Sequence, residues 1–414
     1  MNKITRLFFL VFFPFLPFLA WILSKVRDTP IDMFVTLILI PIAFYILITP
    51  KINFPKYLTF FSLFTIYHLS SVYINHLIPP ESNLIKTILG DKNLVACLLF
   101  FVIENTHFDE KFMRAMTRNI YIIVIISLIV SLLQLKFPTF FVAPYVVQNA
   151  DNEVFLTENR IFSIYSWVGL NSLGITFPIL IAILLNYYSN KRLSTPLLLL
   201  CGIIVSFLTK ARYVMISMII VFSQLFFTSL IKLRKKVYIL LIFSGCILLS
   251  IGIAKTMGYN IKQVVNERIL EQSTNLGSAN ARIISYFVFL QVFPEHPLFG
   301  VGPSTSSEVV RLLGGWAPFI HIGYLSYLYF YGLIGCFFFF LGIFYLLKYA
   351  WSMGSQYNFW GGFFGLLAFC FANVTMVDFD LSEIGIVLII IYFKYFKETS
   401  SLELVPESTK QITE

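Results

Sequence analysis

The chain has 414 residues, of which 58% are hydrophobic and only 12% are charged. A membrane-spanning helix needs about 20 apolar residues, so the roughly 240 hydrophobic residues suffice for about twelve spans and leave little for a water-soluble domain. The net charge of +9 is attributed to membrane-protein loops and not to nucleic-acid binding. Unbroken apolar runs exclude an outer-membrane barrel, whose strands alternate apolar and polar residues. The composition therefore predicts an all-α, polytopic integral membrane protein.

Apolar windows of about 19 residues predict twelve membrane spans. The spans are 7–24, 31–49, 57–78, 83–103, 119–135, 161–188, 195–209, 213–231, 237–254, 320–347, 359–377 and 381–393. The fourth is the weakest because Lys86, Asp91 and Lys92 interrupt it. Lys3 and Arg6 precede the first span, which has no small-residue cleavage site and is predicted to remain uncut.

Basic residues predict the orientation, because lysine and arginine favour cytoplasmic loops. With Met1 in the cytoplasm, seventeen of the thirty basic residues lie on that side and eleven lie outside. Both termini are therefore predicted to be cytoplasmic. The predicted organisation is nine membrane helices in 1–254, a large external periplasmic loop in 255–319, three helices in 320–393, and a cytoplasmic tail in 394–414 that we expect to be disordered after Phe396.

The large external loop contains an apolar segment, 281–293, that is too short to span the membrane. We expect it to form a helix that lies in the membrane interface or dips into it. Pro294 and Pro297 end this segment, and Ser304 could cap a short helix that runs through Arg311. The loop is the natural lid of an active site.

Four of the eleven external basic residues lie against apolar helix ends, and there an anionic partner is favoured over a solvated loop. They are Arg160, Lys210, Arg212 and Arg282. His321 begins the tenth span at its external edge, where a neutral imidazole could take a proton from a substrate hydroxyl. The other four histidines compete with it on chemistry alone.

Two further segments have residue types that could bind ligands. The segment 300–305, with Gly300 and Gly302, resembles a phosphate-cradling turn, and a plain turn is the alternative. No lysine follows in the pattern of a nucleotide-binding loop. Asp378 and Asp380 have a spacing that could hold a divalent ion, although such pairs are common in loops. The five cysteines lie in apolar runs without disulfide or metal-ligand spacing, and we predict no metal and no cofactor.

Four segments lie in a fixed order around the large external loop. They are Arg160 with Asn171-Ser172-Leu173-Gly174, then Lys210-Ala211-Arg212-Tyr213, then Arg282 with His296-Pro297-Leu298-Phe299-Gly300-Val301-Gly302-Pro303, and finally His321 with Tyr331-Gly332-Leu333-Ile334-Gly335. Together they resemble the O-antigen polymerase and O-antigen ligase superfamily of inner-membrane glycan-assembly enzymes. Ile322 replaces the asparagine that follows the histidine in the superfamily pattern, and this departure favours a polymerase.

The resemblance implies a metal-independent glycosyltransferase of the bacterial cytoplasmic (inner) membrane, with a glycan on undecaprenyl diphosphate as its donor. The four external basic residues would bind the diphosphate, because guanidinium groups stabilise the charge that develops on a departing phosphate. By the same resemblance His321 would be the general base, and Gly300 and Gly302 would belong to the substrate loop.

The expected activity is polymerisation of lipid-linked repeat units into O-antigen, capsule or exopolysaccharide, with a chain-length regulator and a flippase as candidate partners. A ligase that transfers the finished glycan to lipid A core or to a protein remains open. Twelve spans with both termini inside also fit a flippase or another transporter, although transporters usually keep their external loops short. A metal-dependent glycosyltransferase that uses the two aspartates is a third alternative.

Overall fold

The computed structural model describes residues 2–16, 31–48, 52–74, 88–141, 161–165, 170–188, 194–209, 211–228, 278–303, 307–314, 320–374 and 379–403, with isolated positions in 237–252. Every regular element in these ranges is a helix. The α-helices are α1 (Asn2–Leu7), α2 (Ile31–Leu47), α3 (Lys56–Ile74), α4 (Lys92–Glu104), α5 (Glu110–Lys136), α6 (Leu170–Tyr187), α7 (Ser194–Leu208), α8 (Arg212–Phe227), α9 (Ser278–Val292), α10 (Ser307–Leu312), α11 (Gly323–Tyr357), α12 (Trp360–Ala372) and α13 (Ile384–Glu403).

Two of these helices, α5 and α11, are long and apolar enough to cross a membrane by length and composition. Shorter apolar stretches lie in α2, α6, α7, α8 and α12. The predicted all-helical fold class is thus confirmed for the described residues, and these apolar helices support a membrane protein. The count of twelve spans stays a prediction, since the ninth, 237–254, is represented among the described residues by isolated positions alone.

The fourth predicted span is shorter in the structure than the window 83–103. The Asp91 carboxylate accepts a hydrogen bond from the N–H of Leu94 at 2.9 Å and caps α4, which therefore begins at Lys92. Asp91 and Lys92, two of the charged residues that interrupt the apolar window, thus lie at the helix start, where a carboxylate satisfies an N–H group that has no partner within the helix.

The polar tail 394–414 was expected to be disordered after Phe396, but α13 continues to Glu403. Lys394 pairs with the Glu398 carboxylate one turn later at 3.1 Å, and the same carboxylate contacts His107 at 2.8 Å. These interactions extend the helix past its apolar part, which is why the expectation was wrong for the first residues of the tail.

Helix α6 forms the centre of the bundle. Residues 173–185 are all buried, although a helix on the edge of a bundle would expose one face. Helix α12 approaches it closely at Gly361, where an added Cβ would lie 2.5 Å from the Ala182 carbonyl oxygen. Small residues allow membrane helices to pack at such short distances.

Aromatic side chains join α3 to α11. The rings of Phe60 and Tyr345 stack with centroids 5.3 Å apart, and Phe64 meets Tyr331 edge to face at 4.9 Å. This packing fixes the two helices side by side. It also brings the middle of α3 close to the first third of α11, where the helix is interrupted.

Candidate active site

Helix α11 is interrupted at Gly332, whose φ of 60° and ψ of −169° are not helical. The interruption leaves two carbonyl groups before it and two N–H groups after it without their usual helical partners. The loop segment 297–302 supplies all four partners. The bonds run from Val301 N–H to Tyr329 O (3.1 Å), from Gly302 N–H to Phe330 O (2.8 Å), from Leu333 N–H to Pro297 O (2.9 Å) and from Ile334 N–H to Leu298 O (3.1 Å).

Glycine is required on both sides of this contact. Gly300 has a φ of 68°, and a Cβ added to it would lie 2.6 Å from the Gly332 nitrogen. A Cβ on Gly332 would in turn lie 2.6 Å from the Gly300 nitrogen. Both the backbone conformation and the short distance therefore exclude larger residues. The two glycine-containing segments that carry the family resemblance in this part of the chain thus bind each other.

The same hydrogen bonds bear on the predicted phosphate-cradling turn. The N–H groups of Val301 and Gly302 donate hydrogen bonds to carbonyl groups of α11, and the N–H of Gly300 donates one to the His296 carbonyl at 3.0 Å. In this conformation the glycines hold the loop against the interrupted helix. Direct contact of Gly300 and Gly302 with a substrate stays a prediction.

Tyr67 of α3 adds a contact at the joint, which is the place where the loop segment 297–302 meets α11 around Gly332. Its hydroxyl oxygen lies 2.6 Å from the carbonyl oxygen of Phe299 and 3.0 Å from that of Tyr331. One tyrosine hydroxyl thus reaches both the loop and the residue before the interruption. Sequence reasoning missed this role, because a tyrosine in an apolar helix ordinarily packs against its neighbours.

Helix α9 connects two of the predicted site residues. Arg282 lies in its second turn, and Ser285 follows one turn later on the same side. The buried Ser285 hydroxyl accepts a hydrogen bond from the backbone N–H of His321 at 3.1 Å. Ser285 therefore attaches His321, two residues before the start of α11, to the helix that carries Arg282. Sequence reasoning missed Ser285, since a single serine among apolar residues has no distinguishing pattern.

Three of the predicted site residues interact electrostatically. Burial and then the charge of Arg282 lower the pKa of His321 below its ordinary value. Burial and then the charge of Arg212 lower the pKa of Arg282. Arginine nevertheless stays protonated, because its ordinary pKa is far above neutrality. These electrostatic interactions link Arg212 to Arg282 and Arg282 to His321, although the three residues are up to 109 positions apart in the sequence.

This arrangement combines two positive groups with a neutral imidazole. Two guanidinium groups close enough to repel each other favour a ligand with more than one negative charge. An imidazole with a lowered pKa is unprotonated at neutral pH and is able to accept a proton. The site therefore suits a reaction in which a polyanionic group departs while a hydroxyl group loses its proton.

The remaining predicted site residues have other surroundings. Arg160, Lys210 and Asp378 lie outside the described residues. Asp380 pairs with Lys92 at 2.9 Å and accepts a hydrogen bond from the N–H of Ser382 at 2.9 Å. In the described part of the chain, no group of three or more His, Cys, Asp or Glu side chains is arranged to hold a metal ion.

The competing histidines that the structure describes are placed elsewhere. His68 bonds to the Asp91 carboxylate at 2.6 Å and is buried between α3 and α4. His107 pairs with Glu398 of α13. The His296 side chain is exposed, and its carbonyl group accepts the hydrogen bond from the N–H of Gly300. His321, by contrast, is close enough to Arg282 for that charge to lower its pKa.

Comparison with protein families agrees with this geometry. The family model described as O-Antigen ligase matches residues 197–340, from α7 into α11. The matched region includes Arg212, Arg282 and His321, and both segments that meet at the interruption of α11. No significant match to a curated protein is found. This match over about a third of the chain supports the resemblance to the O-antigen polymerase and O-antigen ligase superfamily.

Proposed function

We propose that this protein is a glycosyltransferase that polymerises undecaprenyl-diphosphate-linked repeat units into a surface polysaccharide. The reaction takes place at the outer face of the bacterial cytoplasmic membrane, with both termini of the chain in the cytoplasm. The observation that carries the proposal is the meeting of Arg212, Arg282 and His321 in the matched domain.

The chemistry follows from the charges of these groups. A hydroxyl of the acceptor glycan attacks the anomeric carbon of the donor and loses its proton to the His321 imidazole. The bond from that carbon to the diphosphate oxygen breaks, and the diphosphate departs with the bonding electrons. Arg212 and Arg282 stabilise the negative charge on the leaving group, and we assign the same role to Arg160 and Lys210.

A ligase remains the second candidate, because the matched family model is described as O-Antigen ligase. Ligase and polymerase share the donor and the leaving group, and they differ in the acceptor. A polymerase adds the glycan to another lipid-linked repeat unit, whereas a ligase adds it to lipid A core or to a protein. Ile322, which replaces the asparagine of the superfamily pattern, favours the polymerase.

The test uses a strain from which the gene is deleted. Its surface glycan is separated on a gel beside strains that carry the wild-type gene, Arg282→Ala or His321→Ala. We expect the deletion to leave single repeat units, and each variant to fail to restore the ladder. Loss of one such stabilising group lowers the rate about 100-fold or more.

Arg311→Ala is the matched control, because Arg311 is an exposed arginine in the same loop. It should restore the ladder, and all variants should be present in the membrane at wild-type amounts. Long lipid-linked polymer that accumulates without transfer would identify a ligase. A ladder that is unchanged by deletion would contradict both transferase activities and favour the transporter.

A further inference from the structure

Helix α9 has two apolar faces, and the part of the chain that the structure describes covers only one of them. On the inner face, Ser285, Val288, Phe289 and Val292 are buried. Three of these side chains pack in a cluster with Val309, Leu313, Ile320 and Tyr329. The inner face therefore attaches α9 to α10 and α11.

The outer face of α9 consists of large apolar side chains at the spacing of one helical stripe. Ile283 is 54% exposed, Tyr286 47%, Phe287 59% and Leu290 49%. Water-soluble surfaces rarely present four such residues side by side, so the stripe indicates an apolar partner.

The loop that follows α9 extends this apolar surface. Leu298 and Phe299 are 52% and 63% exposed, and their segment is hydrogen-bonded to α11 at Leu333 and Ile334. Leu333 is itself 51% exposed, as are Phe337 (60%) and Phe344 (58%) further along α11. The exposed apolar residues of the loop are therefore adjacent to the exposed face of a helix that is long and apolar enough to span a membrane.

The position of the joint along α11 agrees with this adjacency. Lys348 is the first charged residue after Gly332, and it marks the polar boundary toward the far end of α11. The helical rise from Gly332 to Lys348 is about 24 Å, which is slightly less than the roughly 30 Å of a hydrocarbon core. The joint at Gly332 therefore falls just inside the opposite boundary of the membrane.

We propose that Ile283, Tyr286, Phe287 and Leu290, together with Leu298 and Phe299, form a lipid-contact surface immersed in the outer leaflet, with phospholipid acyl chains as its partner. The spacing of the stripe, its continuity with the exposed face of α11 and the depth of the joint all support this assignment. Arg282 precedes the stripe on α9, and immersion places it at the level of lipid phosphate groups. The surface does not depend on the proposed glycosyl transfer.

Photocrosslinking of the full-length protein tests the surface. The photoreactive residue p-benzoylphenylalanine replaces Phe287, and the protein is reconstituted in vesicles of alkyne-tagged phosphatidylethanolamine and phosphatidylglycerol. After illumination, mass spectrometry measures the fraction of protein that carries tagged lipid. Phe337 of α11 is the lipid-facing reference position, and Arg311 of α10 is the water-facing one.

We expect lipid crosslinking at Phe287 to equal that at Phe337 and to exceed that at Arg311 several-fold. Crosslinking at the Arg311 level would show that the stripe faces water, and crosslinked protein dimers would show that a second copy covers it. Either result would overturn the proposal. Should the Phe287 variant fail to fold, Ile283 is the second position, and the glycan ladder independently reports the proposed enzyme activity.

Discussion

Gly300 and Gly332 lie backbone to backbone, and each leaves no room for a Cβ on the other. The contact lies among four backbone hydrogen bonds that join the loop 297–302 to the interrupted helix α11. Since Arg282 and His321 lie on opposite sides of this loop in the sequence, the contact fixes the distance between the helix of the arginine and the start of α11. The geometry of the site thus depends on residues that have no reactive groups.

Alanine at Gly300 or Gly332 should destabilise the protein. Each residue has a positive φ and a short contact, so a Cβ adds backbone strain of about 1–3 kcal/mol and displaces the loop. We expect Gly300→Ala and Gly332→Ala to lower the unfolding temperature of the detergent-solubilised protein and to abolish the glycan ladder. Gly245→Ala is the control, because an added Cβ there has nothing within 4 Å. Equal stability of the three variants would contradict the assigned contact.

Removal of the Ser285 hydroxyl should impair the site through His321. The His321 N–H would lose its acceptor, and an unsatisfied buried N–H group costs about 1–3 kcal/mol. We expect Ser285→Ala to reduce kcat more than it changes KM in a reconstituted polymerisation assay, because the base is displaced while the diphosphate site is retained. We also expect partial recovery in Ser285→Thr, which keeps a hydroxyl group.

Ser326→Ala provides the matched control for this prediction. Ser326 is also a buried serine near the start of α11, but its hydroxyl has no hydrogen-bond partner among the described residues. The substitution should leave both kcat and stability close to wild type. A loss of kcat as large as that of Ser285→Ala would mean that any change at this end of α11 disturbs the site.

The helices could be predicted from the sequence because each apolar run is long and dense. Their ends were less predictable: α4 begins later than the hydropathy window, where Asp91 caps it, and α13 continues through Glu403 on side-chain pairs. Hydropathy averages over a window, whereas a cap or an ion pair acts at one residue. The same limitation explains why charged residues near helix ends were read as interruptions.

Part of the site was predictable because cations on the disfavoured side of the membrane stand out in the sequence. Arg212, Arg282 and His321 were found in this way and through the family resemblance. Ser285 and Tyr67 act through single hydrogen bonds to backbone groups that are distant in the sequence, and no local pattern reveals such partners. The glycines were recognised as a motif, but their contact with each other required the structure.

Activity should withstand removal of divalent cations. Asp380, one of the two aspartates with metal-ligand spacing, is paired with the Lys92 ammonium and with Ser382. We expect full polymerisation in EDTA, and we expect Asp380→Asn to lower the unfolding temperature because a half-buried lysine loses its partner. Glu110→Gln, at an exposed ion pair with Arg114, should change neither property. Inhibition by EDTA that magnesium reverses would contradict the arginine-based mechanism.

The charge of Arg282 should determine the pH range in which His321 is an effective base. Burial and this charge both hold the pKa of His321 below its ordinary value, so the imidazole stays neutral to a lower pH than an ordinary histidine does. Arg282→Gln removes the positive charge, and the pKa of His321 should rise. The acid limb of the kcat/KM profile should therefore move to higher pH, because a higher pH is then needed to deprotonate the imidazole.

A readout that does not require activity separates this effect from the loss of diphosphate binding. Diethyl pyrocarbonate modifies an imidazole only when the ring is neutral. The rate at which His321 is modified, measured by mass spectrometry across a pH series, therefore reports its protonation state directly. We expect the midpoint to rise in Arg282→Gln and to remain in place in Arg311→Gln. An unchanged midpoint in Arg282→Gln would mean that the two groups are not coupled, and the arginine would then act on the leaving group alone.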